Sequence, residues 1–445
     1  MALFGRRDVD RANRQLSHAY RSRGHLEDIS GFLCPDGIPG SFLLSGGADP
    51  EERYRPLRPV LETLVGRMPI LILHSGRGPL RDMAVEAWQS YAPETPLWDI
   101  GGECREFEPF FGMEKPQAAT ALRQLALRLG YTPTPRFDRV ARGHMDILAR
   151  LQVPVSLTGF SYLCRFQDMG EFHDNILELS SDRAEGQRIW ADLGVGEDGG
   201  GQFDLFRSVI RALEEEAAQS GWDPENGVAR QNCLQALRAA DPASAPPLLL
   251  LRVNPLYAEL LLTYLAEELR AGSGRGPFLL LLDGIPLRDL RFTEYLRTAG
   301  SGCCFGIVTE NAADLTDEAS FRSLCERMRC LVLFKHGTGA SASALAELFG
   351  KYDYTKVETS RGTSRSYFQF LPQNQHEDIR TATENRCRVM PEEITALSAD
   401  MARLNLLRAE LSAHLLERLE DSQLELTIPV GSLLPIEPTW ARGPE

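Results

Sequence analysis

The sequence predicts an α/β protein: a mostly parallel β-sheet with helices on both faces, carrying a mostly helical insert. Three observations lead there. Five apolar runs of five or six residues stand at Pro69–Leu73, Leu248–Val253, Phe278–Leu282, Cys303–Val308 and Cys330–Phe334, each followed by a helical pattern. Strands buried on both faces need such continuous apolar runs, and helices must cover them. Between residues 116 and 240 strand signals are few and helical spacing dominates. The composition, 43% hydrophobic and 25% charged over 445 residues, is that of a folded chain of more than one unit.

The first clear strand is Pro69–Leu73 (PILIL), ending in His74-Ser75-Gly76-Arg77-Gly78-Pro79. A helix over Leu80–Ser90 follows, with Met83, Ala84 and Trp88 at helical spacing. A strand, a glycine turn and a helix open an α/β unit. Pro116–Gly130, Phe137–Leu151 and Phe203–Gln219 read as helices of the insert, which the linker Asp241–Pro247 closes. The α/β rhythm then resumes. Strand Leu248–Val253 leads to helix Leu256–Ala271, strand Phe278–Leu282 to helix Leu290–Thr298, and strand Cys303–Val308 to helix Glu318–Arg329. Strand Cys330–Phe334 leads to helix Ser341–Phe349. Helical spacing of Leu397, Met401, Leu404, Leu407, Leu411 and Leu415 predicts a C-terminal helix. The expected organisation is an N-terminal arm (1–40), the first part of the α/β domain (41–115), the helical insert (116–245), the second part of the α/β domain (246–390), and a C-terminal helix and tail (391–445).

Charge and cysteine usage narrow the function classes. The formal net charge is −14, which disfavours generic binding of nucleic acid or anionic membrane. The only lysines are Lys115, Lys335, Lys351 and Lys356. Nine scattered cysteines without a CxxC pair read as free thiols, neither a disulfide framework nor a zinc site. No apolar stretch approaches the roughly 20 residues that span a bilayer. The expectation is a cytoplasmic protein, peripheral to the inner membrane at most through partners. Residues 1–40 hold six of the first arginines, as a docking arm or a solvated terminus.

Ligands of open parallel sheets bind at the carboxyl ends of the strands. Those ends are His74–Pro79, Asp283–Pro286, Thr309–Asn311 and Lys335–Gly339. A phosphate cradle needs inward-turned backbone N–H groups, a helix N-terminus, a lysine, and a Ser/Thr for magnesium. The loop His74–Asp82 supplies the glycines and the helix start, but Leu80, Arg81 and Asp82 stand where lysine and Ser/Thr belong, and Pro79 removes a donor. Ser75, Gly76, Arg77, Gly78 and Arg81 are thus remnants of such a cradle. Arg77 or Arg81 offers a bidentate phosphate clamp that differs in geometry from lysine. Four leucines ending in Asp283 form the pattern that holds Mg²⁺ beside a nucleotide, but Gly284 takes the place of the catalytic acid. The blander reading of Asp283 is a turn cap. Glu310 and Asn311 either contact a ligand or cap a loop. No GxSxG or HExxH occurs, and His173-Asp174 has no nucleophile to serve.

These residues, in this order, resemble the coupling ATPases of conjugation and type IV secretion, the TraG/TraD type within the FtsK–HerA group of P-loop motors. Phe278–Asp283 with Gly284-Ile285-Pro286 looks like that family's second nucleotide motif, LLDEFP, with glycine at the glutamate position. Phe305–Asn311 (FGIVTEN) is similar to the next strand, with Glu310 or Asn311 near the family's glutamine, and Arg297 lies near its trans-acting arginine. Arg386–Ile394 resembles the segment after the motor, and the insert sits where the family places its all-α domain. The resemblance implies a P-loop NTPase (RecA-like) fold, rings of six as a homo- or hetero-hexamer, protein partners in a DNA-transfer or secretion machine, and ATP and Mg²⁺ if the nucleotide site works, with Asp283 as the metal ligand. The family's membrane helices have no counterpart here. Because lysine, Ser/Thr and glutamate are missing together, the reading carried forward is a degenerate relative, inactive as an ATPase, acting as adaptor or scaffold. The alternatives are an active ATP-dependent DNA-translocating motor with a divergent phosphate loop, and a non-catalytic DNA-binding module.

Overall fold

The computed structural model describes residues 21–22, 33–34, 40–47, 53–102, 104–110, 113–166, 168–193, 200–224, 246–270, 278–285, 303–312, 324, 328, 330–337, 339–347, 351–363, 375–387, 390–397, 403–406 and 425–427. Its strands are β1 (Arg21–Ser22), β2 (Phe42–Ser45), β3 (Ile70–His74), β4 (Leu97–Ile100), β5 (Leu248–Arg252), β6 (Phe278–Asp283), β7 (Cys303–Thr309), β8 (Cys330–Leu333), β9 (Lys351–Thr363), β10 (Gln375–Cys387), β11 (Arg403–Leu406) and β12 (Glu425–Thr427). Its helices are α1 (Leu57–Leu64), α2 (Leu80–Tyr91), α3 (Lys115–Arg128), α4 (Pro135–Arg150), α5 (Leu157–Cys164), α6 (Met169–Leu179), α7 (Arg183–Leu193), α8 (Gly200–Ser220), α9 (Pro255–Arg270), α10 (Gly339–Glu347) and α11 (Pro391–Thr395).

Ten strands form one sheet in the order β1-β12-β11-β8-β2-β7-β6-β3-β5-β4. From β8 to β4 every neighbour pair is parallel. β11 then adds antiparallel to β8, β12 pairs parallel to β11, and β1 pairs antiparallel to β12. The apolar runs read as strands because both their faces are buried. In β3, Ile70 and Ile72 enter one apolar cluster and Leu71 and Leu73 enter the other. Each leucine or isoleucine so buried contributes about 1.5–3 kcal/mol relative to exposure.

The connections sort themselves onto the two faces. α1 and α2 carry the chain toward the β4 edge and pack, through Leu57, Leu61, Leu80 and Ala84, on the face of Ile70 and Ile72. α9 carries the chain the other way, and its Tyr257, Leu260 and Leu261 pack on the face of Leu71 and Leu73. Right-handed crossovers in opposite directions require opposite faces. Neighbouring strands whose connections diverge leave a crevice at their carboxyl ends, and two such places occur here: between β3 and β6, and between β2 and β8.

Helices α3–α8 lie between β4 and β5 and form the helical insert. Their ends are written in the sequence. Glu114 and Gln117 form a capping box at α3, Pro116 and Pro135 sit in first turns, Thr134 Oγ1 accepts from Arg136 N, and Asp168 accepts from Gly170 N and Glu171 N at 2.8 and 3.1 Å. The insert shares one apolar cluster with the sheet, in which Phe137, Phe160 and Phe206 continue into Trp222, Tyr257 and Leu251.

Several expectations need correction. The sheet contains β2, a four-residue strand ahead of Pro69–Leu73, and also β4, which carries the polar Asp99. The leucine spacing taken for a C-terminal helix does not produce one at Arg403–Leu406; those residues form β11, where pairing with β8 outweighs helical periodicity. β9 and β10 form a separate two-stranded antiparallel sheet that the polar sequence did not suggest. The helix expected at Leu290–Thr298, with Arg297, lies outside the described residues, as do most of Glu318–Arg329 and residues 407–424. No helix among the described residues is long and apolar enough to cross a membrane.

Candidate functional site

The sheet brings the expected strand ends together. His74 at the end of β3 is in register with Asp283 of β6 on one side and with Arg252 of β5 on the other. Asp283 is in turn opposite Val308 of β7, one residue before Thr309, and Thr309 is opposite Ser45 of β2. One row of strand ends thus carries the loop 75–79, Asp283, Glu310, Asn311 and the turn after Ser45.

At the crevice between β3 and β6, Asp283 is only 1% exposed. Its Oδ1 accepts a hydrogen bond from the Tyr54 hydroxyl at 2.6 Å, and its Oδ2 has no partner. Burial raises its pKa to about 6, against the lowering influence of the Tyr54 hydrogen bond and of Arg53. Gly78 lies against the same pair: a Cβ there would collide with the Tyr54 hydroxyl and stand 2.9 Å from Asp283 Oδ2. Only glycine lets the loop close on this carboxyl group. Ser75 N donates to the Asp283 carbonyl at 3.0 Å, fixing the loop to β6.

The arginines of this loop divide. Arg81 is committed: its Nε reaches both Asp99 oxygens at 3.2 Å, and its Nη1 reaches Asp82 at 2.6 Å. A guanidinium already holding two carboxylates is a poor phosphate clamp, so the expected role of Arg81 goes instead to fixing α2 on β4. Arg77 is exposed. Gly76, with φ of 78°, lies under Arg252, whose Nε is 3.0 Å from where a Cβ would stand. His74 is buried with both ring nitrogens unpartnered, and burial lowers its pKa to about 4.

At the crevice between β2 and β8, Ser45 and His336 meet. His336 Nδ1 lies 2.8 Å from the Phe334 carbonyl, which can only accept, so Nδ1 carries the proton. Nε2 is therefore an acceptor, and the Ser45 hydroxyl donates to it at 2.9 Å. Ser45 Oγ in turn accepts from Ala312 N at 2.9 Å. The amides that follow are also used: Gly46 N donates to the Thr309 carbonyl at 3.2 Å and Gly47 N to the Lys335 carbonyl at 2.9 Å. Gly46 has φ of 96°, and a Cβ there would lie 2.6 Å from the His336 ring. The imidazole fills the space above the first glycine of this turn.

Between the crevices runs the chain leaving β2. Arg53 is 3% exposed, its guanidinium 5.7 Å from the Tyr54 ring centroid and 3.8 Å from the carboxylate of Glu310, which is 87% exposed. Asn311 donates to Ser341 Oγ of α10 at 2.8 Å. Glu310 and Asn311 thus act here within the protein, tethering two neighbouring segments to the tip of β7.

These contacts bear on whether a magnesium nucleotide fits. In nucleotide-binding α/β sheets the first strand–helix turn carries the phosphate cradle. The first such turn of this parallel sheet follows β2, not β3. Sequence reading missed Ser45, Gly46, Arg53, Tyr54 and His336, although Phe42-Leu43-Leu44-Ser45-Gly46-Gly47 is a short apolar run ending in glycines. Neither turn presents a lysine followed by Ser/Thr, the described amides of the first are taken by carbonyls, and the metal-side carboxyl group is capped by Tyr54. The residues present do not fit the group. The one lysine at a parallel strand end is Lys335, whose side chain is exposed.

No family profile matches the chain, and no curated protein is significantly similar to it. Solved structures are. The bacterial conjugative coupling protein TrwBΔN70, in its unbound form, aligns with a TM-score of 0.54 at 13% identity, over 83% of this chain and 84% of that one. VirB4 of Thermoanaerobacter pseudethanolicus aligns with a TM-score of 0.42 at 10% identity, over 69% and 80%. The likeness to the coupling protein is one of fold: this chain is built on the P-loop NTPase, RecA-like architecture, with a mostly parallel sheet and a mostly helical insert.

Proposed function

We propose that the chain is a catalytically degenerate relative of the conjugative coupling ATPases, acting as an adaptor or scaffold in DNA transfer or secretion. The observation that carries this reading is the occupation of both crevices by the protein's own groups: His336 bonded to Ser45 over Gly46, and Tyr54 bonded to Asp283 under Gly78. Phosphoryl transfer depends almost wholly on positioned cations and donors; here neither turn carries the lysine and Ser/Thr, Arg81 is held by Asp99, and the amides of Gly46 and Gly47 are taken by carbonyls. The fold is kept while the chemistry is replaced by internal hydrogen bonds that stiffen the sheet ends. In this reading the chain works as a protein partner within a ring or beside an active motor.

The test is calorimetric titration with ATP and Mg²⁺, followed by phosphate release, on the full chain and on Asp283→Ala. The degenerate reading expects no binding at micromolar nucleotide and no turnover in either protein. Micromolar affinity with turnover that Asp283→Ala or Lys335→Ala abolishes establishes the active-motor alternative instead.

A further inference from the structure

We infer that the face of the helical insert around Tyr162 is a docking groove for a basic amphipathic helix of a partner protein. This holds whether or not the sheet ends bind nucleotide, because it rests on different residues.

Two cavities open on either side of Tyr162, which is 59% exposed and lines both. One, of about 430 Å³, is walled mainly by hydrophobic side chains, among them Leu151, Phe166, Phe172, Ile176 and Leu179, with Asn175 and Glu178 of α6 at its edge. Leu179, on its rim, is itself 40% exposed, so together with Tyr162 it presents apolar surface to solvent. The other, of about 410 Å³, is mixed: Leu157, Ala217 and Trp222 share its wall with Ser161, Arg165 and Glu214. Ser161 is 4% exposed, and its hydroxyl has no hydrogen-bond partner. A buried hydroxyl on a cavity wall without a partner is a place for a ligand's polar group.

The occupant follows from charge. α6, which supplies the apolar cavity, carries exposed Glu171, Asp174 and Glu178, three, four and seven residues apart on one helical stripe, and Asp182 follows it. It contains no lysine or arginine, and no described residue forms an ion pair with Glu171 or Glu178. Arg165, at the second cavity, is already held by Glu214 at 3.0 Å. An apolar groove with an acidic border fits a helix whose leucine-type face enters the groove and whose lysines and arginines meet the carboxylates. A lysine at its edge would donate to Ser161 Oγ and Glu214.

The probe is a fluorescent synthetic helix about 18 residues long with leucines on one face and lysines on the other. Its counterpart has glutamates in place of the lysines. Anisotropy titration of the full chain is expected to show saturable, salt-sensitive binding of the lysine peptide only. Tyr162→Ala combined with Leu179→Ala, both exposed side chains whose loss leaves the core intact, should weaken it about tenfold. Glu171→Gln with Glu178→Gln should weaken it about threefold and flatten the salt dependence, while Glu94→Gln on the sheet domain changes nothing. The proposal is overturned if the lysine peptide does not bind, if both peptides bind alike, if the Tyr162 and Leu179 changes leave affinity intact, or if Glu94→Gln weakens it equally.

Discussion

Ser45 Oγ donates to His336 Nε2 at 2.9 Å across 291 residues of chain, and the same oxygen accepts from Ala312 N. One hydroxyl therefore joins the ends of β2, β7 and β8. Ser45→Ala leaves a buried imidazole nitrogen and a buried amide without partners, and should cost about 1–3 kcal/mol. Urea unfolding of the two proteins measures it. A midpoint unchanged within error would mean that water replaces the hydroxyl.

Gly78→Ala tests how tightly the β3 loop closes. The added methyl would meet the Tyr54 hydroxyl and Asp283 Oδ2, so the loop must lift or the Tyr54–Asp283 bond must break. The expected loss is roughly 1–3 kcal/mol, by the overpacking that buried sites resist. Tyr54→Phe in the same background should recover part of the loss, since the collision involves the hydroxyl. Absence of any recovery would place the strain elsewhere.

Glu108 gives a pH dependence with a definite sign. It is fully buried, its Oε1 accepts from Phe110 N and Leu157 N at 2.9 Å, and desolvation raises its pKa from 4.5 to about 8. The folded chain thus keeps a proton that the unfolded chain releases above about pH 4.5. The stabilisation is complete below that pH and is lost as pH rises toward 8. Glu108→Gln keeps the accepting oxygen and removes the titration. It should stay close to the parent near pH 5 and exceed it by on the order of 4 kcal/mol at pH 8. Melting temperatures across that range check the crossing; parallel curves would refute it.

His74 works in the opposite direction. Its pKa is lowered by burial to about 4 from 6.5, so the unfolded state takes up the proton first and stability falls as pH drops from about 6.5 to 4. Because neither ring nitrogen has a partner, His74→Leu should stabilise the chain, by about 1 kcal/mol at neutral pH and more at pH 5. A destabilised variant would show that an ordered water satisfies the ring.

The parallel core was legible because Leu248–Leu251, Phe278–Leu282 and Phe305–Val308 are buried on both faces and have no polar alternation to confuse them. The insert was legible through its helical spacing and its caps. β2 was not, because four residues carry little periodic signal. As a result the glycine turn after Ser45 escaped notice, and only the turn at His74–Asp82 stood out. The plugging residues were beyond reach for a different reason: Tyr54 and Asp283 are 229 positions apart, and nothing local in either segment announces the other. Arg81 looked like a free cation only until β4 brought Asp99 beside it. At Arg403–Leu406, helical spacing that includes Leu404 was overruled by an available strand edge on β8.

Trp222 stands against Phe107 and Tyr257, with centroids 4.6 and 4.3 Å away, and donates its indole N–H to the Arg252 carbonyl of β5 at 3.0 Å. Tyr257, from α9, donates to the Leu213 carbonyl of α8. Helical insert and sheet are therefore riveted at the end of β5, one strand in from the sheet edge, rather than hung on a hinge. Neither half is a candidate for excision as a separate module, and any partner that tugs on the helices pulls directly on the strands beneath them.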